Sequence, residues 1–300
     1  MASPPPLLRP DRLPLPDGAT MVASVALGAG RRTLLARPIA ALIGLLPLLP
    51  IAAIDVLKGR APQPLLSTAC ALIGYVLLGP ALVGCWRHYL RLVDGARPSP
   101  ADWMAGYRFL LPTLLANILR SAAVAIAIVP AVLLLAVYLV VTGSGLIDGG
   151  APSVSDIAAF LLLATPAAAG IICVKCLTYP IEILFADGRA ARFGQCLDGA
   201  VRLAWRNIRP IAWIFTAFGL VAIPLMALAF WVAPMLPQPP LDPAALADHP
   251  LADSLPALHR VERALKLSVI PLLPWIFLAL AHAHRQVLPA APQHPKETHA

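Results

Sequence analysis

The sequence predicts an all-α fold: a polytopic transmembrane helix bundle of six spans, with two cytosolic interfacial amphipathic helices and both termini on the cytosolic side. Three observations predict it. Segments of about twenty apolar, almost uncharged residues recur six times, each the length a helix needs to cross about 30 Å of hydrocarbon at 1.5 Å per residue. The 300 residues are 59% hydrophobic and only 13% charged, with mean hydropathy +0.78, too apolar to have folded around one water-soluble core. The 23 Lys and Arg residues fall mainly in alternate connecting segments, as side chains retained on one face of a membrane do.

Residues 1–30 read as a largely disordered cytosolic tail. Pro4, Pro5, Pro6, Pro10, Pro14 and Pro16 punctuate its first half, and no apolar run with a small-residue cleavage site marks a signal peptide. Residues 31–285 form the membrane domain, with spans at 38–57, 65–86, 118–141, 157–179, 211–235 and 267–284. Residues 286–300 form a polar cytosolic tail. Pro38 suits the first helical turn because it has no N–H to leave unbonded, and Arg31, Arg32 and Arg37 stand just before it as an anchor.

The tail carries Arg9, Arg12, Arg31 and Arg32. The second connection carries Arg87, Arg91, Arg97 and Arg108, the fourth Arg189, Arg192, Arg202, Arg206 and Arg209, and the C-terminal segment Arg285 and Lys296. The intervening connections carry only Lys58, Arg60, Arg260 and Arg263, and the third has none. Both termini and the two Arg-rich linkers are therefore expected inside.

Those two linkers look alike, which points to a duplicated two-span unit. Each passes an Asp-Gly turn, Asp94-Gly95 or Asp187-Gly188, and runs through an amphipathic stretch into an apolar span. Ser99-Pro100-Ala101-Asp102 has the form of a capping box leading into Trp103, Tyr107 and Phe109. In the second linker Phe193, Leu197, Val201, Ala204 and Ile208 recur at helical spacing, and Trp205 suits the headgroup level. Arg189, Arg192, Arg202, Trp205, Arg206 and Arg209 are the candidate contacts to membrane lipid, anionic lipid in particular at about 1 kcal/mol per arginine, or to a partner protein. The plainer alternative is a short helix packed on the span ends.

Every span holds a proline: Pro47 and Pro50, Pro80, Pro130, Pro166, Pro224 and Pro234, Pro271 and Pro274. Each removes a backbone hydrogen bond and bends its helix, which frames a cavity in some transporters and is merely tolerated in many other membrane proteins. Mid-span positions are nearly bare of ionisable groups, with Asp55, Arg120 and Lys266 near span ends where they can snorkel. Lys175, Tyr179 and Glu182 share one helix face and form the candidate intramembrane polar stripe, or else an interfacial anchor.

Cys173-Val174-Lys175-Cys176 matches C-x-x-C, but Cys70, Cys85 and Cys196 supply no second pair, so core packing is the expected role. His282 and His284 point to nearly opposite helix faces and are poorly placed to share a metal. No hydrolase, zinc-protease or P-loop pattern occurs, and no catalytic residue, metal site or cofactor is expected.

Gly84, Trp86, Leu90, Asp94-Gly95, Pro98, Asp102, Gly106 and Tyr107, followed by Tyr179-Pro180, Leu184, Asp187, Ala200, Trp205 and Asn207, make the chain resemble a bacterial family. These are multi-helix membrane proteins of unknown function related to the membrane domain of glycerophosphodiester phosphodiesterases. The resemblance covers roughly residues 20–285 and implies a six-helix inner-membrane fold, with no catalytic residue carried over.

The leading expectation is a non-catalytic multi-pass protein of the bacterial inner membrane. Its basic linkers contact lipid headgroups, a membrane protein partner or a second copy, in membrane homeostasis or assembly, with no nucleic acid involved. One rival is a permease for a small amphipathic or lipid-like substrate, with a cavity lined by Lys175, Tyr179 or Glu182. The other is a membrane-embedded lipid enzyme using His88, His282, Asp187 or Asp198.

Overall fold

The computed structural model describes residues 20–60, 63–142, 169–171, 173–190, 192–232 and 268–289, with the single positions Ser155, Leu162 and Pro166. The described residues are helices and their connections, with no strand among them. In chain order they include α1 (Ala23–Ala36), α2 (Pro38–Ile43), α3 (Leu49–Arg60), α4 (Pro64–Val93), α5 (Pro100–Met104) and α6 (Leu110–Thr142). After these come α7 (Ala169–Ala186), α8 (Phe193–Arg206), α9 (Ile208–Val232) and α10 (Leu273–Val287).

Among the described residues, five helical runs are long and apolar enough to cross a membrane: Pro38–Lys58, α4, Pro100–Thr142, α7 and Ile208–Met226 within α9. Their outer stretches carry large apolar side chains on the molecular surface. Ile126, Val129, Val132 and Val140 of α6 are all exposed, as are Leu65 and Leu72 of α4 and Leu220 and Leu228 of α9. In water such a surface would be a liability, and hydrocarbon is the solvent that suits it.

The expected first span, 38–57, is broken rather than continuous. α2 stops at Ile43, a turn of 3-10 helix covers Leu46–Leu48, and α3 resumes at Leu49. Pro47 is the physical reason, because its ring clashes with the carbonyl four residues back, that of Ile43, and it has no N–H to offer. The fourth expected span, 157–179, is described only in part, and its helix continues to Ala186.

The expected sixth span corresponds to α10, whose 15 residues are buried on most sides by α1, α4 and α9. It falls short of a long apolar rod because His282, His284 and Arg285 occupy its last turns. The prolines at 166, 224 and 271 lie within described helical residues, whereas Pro234 lies outside the described residues.

Residues 23–30, expected in the loose tail, are helical. The small side chains Ala23, Ala26 and Gly30 let α1 lie against α10, where a Cβ on Gly30 would meet the Ala279 nitrogen at 2.8 Å. The first nineteen residues lie outside the described ones. The C-terminal tail also begins later than expected, since Val287 and Leu288 are buried in the core.

α4 is the central element, touching α3, α5, α6, α7 and α10. Its half from Gly79 onward is buried, where Trp86 and Tyr89 pack on Phe277 with ring centroids 4.5 and 5.0 Å apart. The core continues through Ile181, Ile183, Leu184 and Phe185 of α7, Leu203 of α8 and Ile211 and Ile214 of α9. Packing is thus concentrated at one end of the bundle. Close backbone approach holds the linker there: a Cβ on Gly106 would lie 2.0 Å from the Pro80 carbonyl oxygen, so only glycine fits.

Candidate functional site

The two Asp-Gly turns end α4 and α7 in the same way. Gly95 and Gly188 adopt φ of 75° and 70°, the left-handed conformation that closes a helix C-terminus. The Gly95 and Ala96 amides return to the Leu92 and Arg91 carbonyls, and the Gly188 and Arg189 amides to those of Phe185 and Leu184. One arginine then joins both turns. Arg285 of α10 donates from Nε and Nη2 to the Asp94 carboxylate, each at 2.7 Å, and from Nη1 to Asp187 Oδ1 at 2.7 Å.

Asp187 also accepts from Arg189 Nε at 2.6 Å and faces His284 Nε2 at 3.3 Å. Burial by itself raises its pKa. Hydrogen bonding and positive charge from His284, Arg285 and Arg189 outweigh that and bring the carboxyl down to about 2. Arg189 is further tied to the Pro289 carbonyl, so the chain beyond α10 is fastened to the second turn.

The first linker is pinned by Asp102, whose side chain is 3% exposed. It accepts from the Ser99 amide at 2.8 Å, the reciprocal half of the expected capping box, and from Arg87 Nε at 3.1 Å, with Arg91 Nη1 also at 3.1 Å. The expected amphipathic helix in this linker is short, α5 followed by a 3-10 turn through Phe109, and its Asp102 carboxylate is turned inward onto these arginines.

In the second linker α8 is the expected helix, but its buried stripe is Cys196, Gly199, Ala200, Leu203 and Ala204. Of the stripe predicted from spacing, Phe193 and Leu197 are half-buried and Val201 faces outward. Burial pushes the Cys196 thiol well up, and its Sγ lies 3.2 Å from the Ile181 carbonyl oxygen. Asn207 closes the corner between α8 and α9, donating to the Leu203 carbonyl and accepting from the Met21 amide.

The six candidate linker residues therefore divide. Arg189 belongs to the Asp187 cluster, and Arg202 pairs with Asp198 at 2.6 Å one turn away. Trp205 is 70% exposed and Arg192, Arg206 and Arg209 face outward with it. Trp213, which spacing did not single out, is 59% exposed at the start of α9.

The candidate polar stripe divides as well. Glu182 is 2% exposed and is bound not by Lys175 but by Arg120 Nη2 at 2.5 Å. Arg120, expected to snorkel, instead also donates to Thr178 Oγ1 at 3.1 Å and Asn117 Oδ1 at 3.3 Å. Burial in a tightly satisfied set of acceptors replaces the missing water. Tyr179 is buried between Trp86 and Phe215, and Lys175 is exposed.

His88, a candidate for lipid chemistry, accepts from Trp103 Nε1 at 3.2 Å on Nδ1 and lies 2.8 Å from the Ala40 carbonyl through Nε2, which fixes the proton on Nε2. His282 lies 3.0 Å from Thr33 Oγ1. Of the four enzyme candidates only Asp187 meets an imidazole, and that is His284, while Asp198 is taken by Arg202. All five cysteines are free thiols, and no cluster with metal-ligand composition occurs among the described residues.

No family model, curated protein or solved structure matches this chain. The class of protein that fold and sequence define is a multi-helix protein with, among the described residues, five helices long and apolar enough to cross a membrane.

Proposed function

We propose that this chain is a non-catalytic, multi-pass protein of the bacterial inner membrane that holds the corner between α8 and α9 against anionic lipid headgroups, with both termini in the cytosol. The observation that carries the reading is the outward placement of Trp205, Arg206, Arg209 and Trp213, while the opposite side of α8 is packed on α7 and α9. Tryptophan favours the headgroup level, and each arginine near an anionic surface contributes about 1 kcal/mol. The bilayer-facing and bundle-packed readings of this helix are thus two faces of one element.

Support for an even number of crossings comes from the chain ends. The Val22 amide donates to Gln286 Oε1 at 2.6 Å, so the start of α1 and the end of α10 share one side of the molecule. The charge count supports a cytosolic position for that side. A six-crossing topology counts Pro38–Lys58 as the first crossing and α10 as the last, and agrees with the family resemblance.

The experiment is native mass spectrometry of the full chain purified in mild detergent with phosphatidylglycerol and phosphatidylcholine in equal amounts. Phosphatidylglycerol is expected to remain bound selectively. R206A/R209A is expected to lower its retention by about an order of magnitude or more, from about 1 kcal/mol per arginine. Equal retention in the variant and the parent rejects the reading.

A further inference from the structure

The helix α1 is held at both ends. The Met21 amide donates to Asn207 Oδ1 at 2.8 Å, at the corner between α8 and α9, and the Val22 amide reaches Gln286 at the close of α10. Past the far end of α1, the Ala40 and Ala41 carbonyls of α2 accept from His88 Nε2 at 2.8 Å and from the Tyr89 hydroxyl at 2.7 Å. His88 lies about 8 Å by helical rise from the end of α4 at Val93, and Arg285 ties the Asp94 turn that follows to the end of α10. The 14 residues of α1, about 21 Å long, thus begin and finish at the same end of the bundle. It lies across that end rather than along the spans.

Its two faces differ. Ala23, Ala26 and Gly30 are buried against α10, whereas Val25, Gly28, Arg32 and Leu35, at spacings of three, four and three, line the opposite face. Val25 is 53% and Leu35 73% exposed, and a Cβ on Gly28 would meet nothing within 4 Å. Arg31, Arg32 and Arg37 are exposed with them. From Gly18 to Ile54 the sequence carries these three arginines and no acidic residue, so the segment is cationic throughout. A face that mixes large apolar side chains with arginine is poorly solvated by water alone or by hydrocarbon alone, and suits the boundary between them. The arginine end also runs straight into the first membrane-capable segment, with Arg37 next to Pro38 and Ile39 exposed at its start. Whatever covers α1 therefore adjoins the hydrocarbon, which favours the leaflet itself over a soluble acidic protein.

We propose that α1 is an in-plane helix of the inner leaflet, in which Arg31, Arg32 and Arg37 hold the phosphates of anionic phospholipid of the phosphatidylglycerol type while Val25 and Leu35 sit at the glycerol and upper acyl level. This rests on the same inner-leaflet reading of the bundle end as the Arg206 and Arg209 corner, and adds a second lipid-contacting element to it. Guanidinium groups pair their N–H donors with phosphate oxygens. The net negative charge of phosphatidylglycerol, against the neutral headgroup of phosphatidylcholine, is what a surface of three arginines discriminates.

The test uses the full chain in vesicles of phosphatidylglycerol and phosphatidylcholine in equal amounts, with the photo-crosslinking residue benzoylphenylalanine in place of Val25 or of Leu35. Mass spectrometry of the irradiated chain identifies what has been captured. Lipid adducts are expected at both positions, with phosphatidylglycerol favoured. R31Q/R32Q is expected to reduce that preference by about tenfold or more, from about fivefold per arginine. Added salt should reduce it in the chain with all its arginines, which decides the matter if the double variant does not fold. Absence of lipid adducts, capture of a second copy of the chain in their place, equal labelling of the two lipids, or a preference that R31Q/R32Q leaves unchanged overturns the proposal. R206A/R209A is expected to leave the adducts at α1 in place, so that failure at the corner and failure at α1 are read separately.

Discussion

At Glu182 and Arg120 two opposite charges are withdrawn from water into the middle of the described bundle, and the consequence of removing one is not symmetrical with removing both. Glu182→Gln leaves the Arg120 guanidinium buried with only neutral acceptors, at a cost of about 3–5 kcal/mol. Thermal unfolding in detergent should show a large loss for that variant and a much smaller one for the double replacement Arg120→Met/Glu182→Leu, which removes both charges. Asp187 makes a prediction about pH. Its folded-state pKa is about 2, below its ordinary value of 3.8, so it contributes stability above about pH 4 that is lost as pH falls through 2. A shift of this size corresponds to about 2 kcal/mol, and acid unfolding of Asp187→Asn should be flatter between pH 4 and 2 than that of the parent chain.

Among the elements, the contact of the first linker with α4 depends on absent side chains. Gly106→Ala places a carbon 2.0 Å from the Pro80 carbonyl oxygen, so α4 and the linker must separate, whereas the added carbon of Gly28→Ala meets nothing within 4 Å. The first substitution should lower the melting temperature of the purified chain sharply. The second should be neutral or raise stability by up to about 1 kcal/mol, the helical advantage of alanine over glycine.

These contacts explain which parts of the architecture were legible. The apolar runs of α4, α6 and α9 and the periodicity of α8 are local patterns, and each produced the expected helix, though the end of α4 and the start of α6 lie seven and eight residues beyond the expected bounds. Pro47 was read as a bend and the structure makes it a break, whereas the helical α1 was not read, because it depends on Gly30 meeting Ala279 across the chain. In the candidate sites, Trp205 and Arg206 could be read from position, but the binding of Glu182 to Arg120 could not, since 62 residues separate them. The Asp-Gly similarity was visible in the sequence, yet only the fold reveals that Arg285 spans both turns.

For the whole molecule the topology is the decisive quantity. Reporter fusions after Gly150 and after Gln195 are expected in the periplasm and the cytosol respectively, and fusions at the two termini both in the cytosol. A Gly150 fusion and a Gln195 fusion in the same compartment would contradict the proposed arrangement. The charge count that supports it also takes on a second meaning, because Arg87, Arg91, Arg189 and Arg285 each hold a carboxylate as well as marking a side. Arg285 in particular lies 191 residues from Asp94 and 98 from Asp187 along the chain. Its share in fastening the two turns therefore exists only when α10 is docked, which ties the ends of α4 and α7 to the seating of a single distant helix.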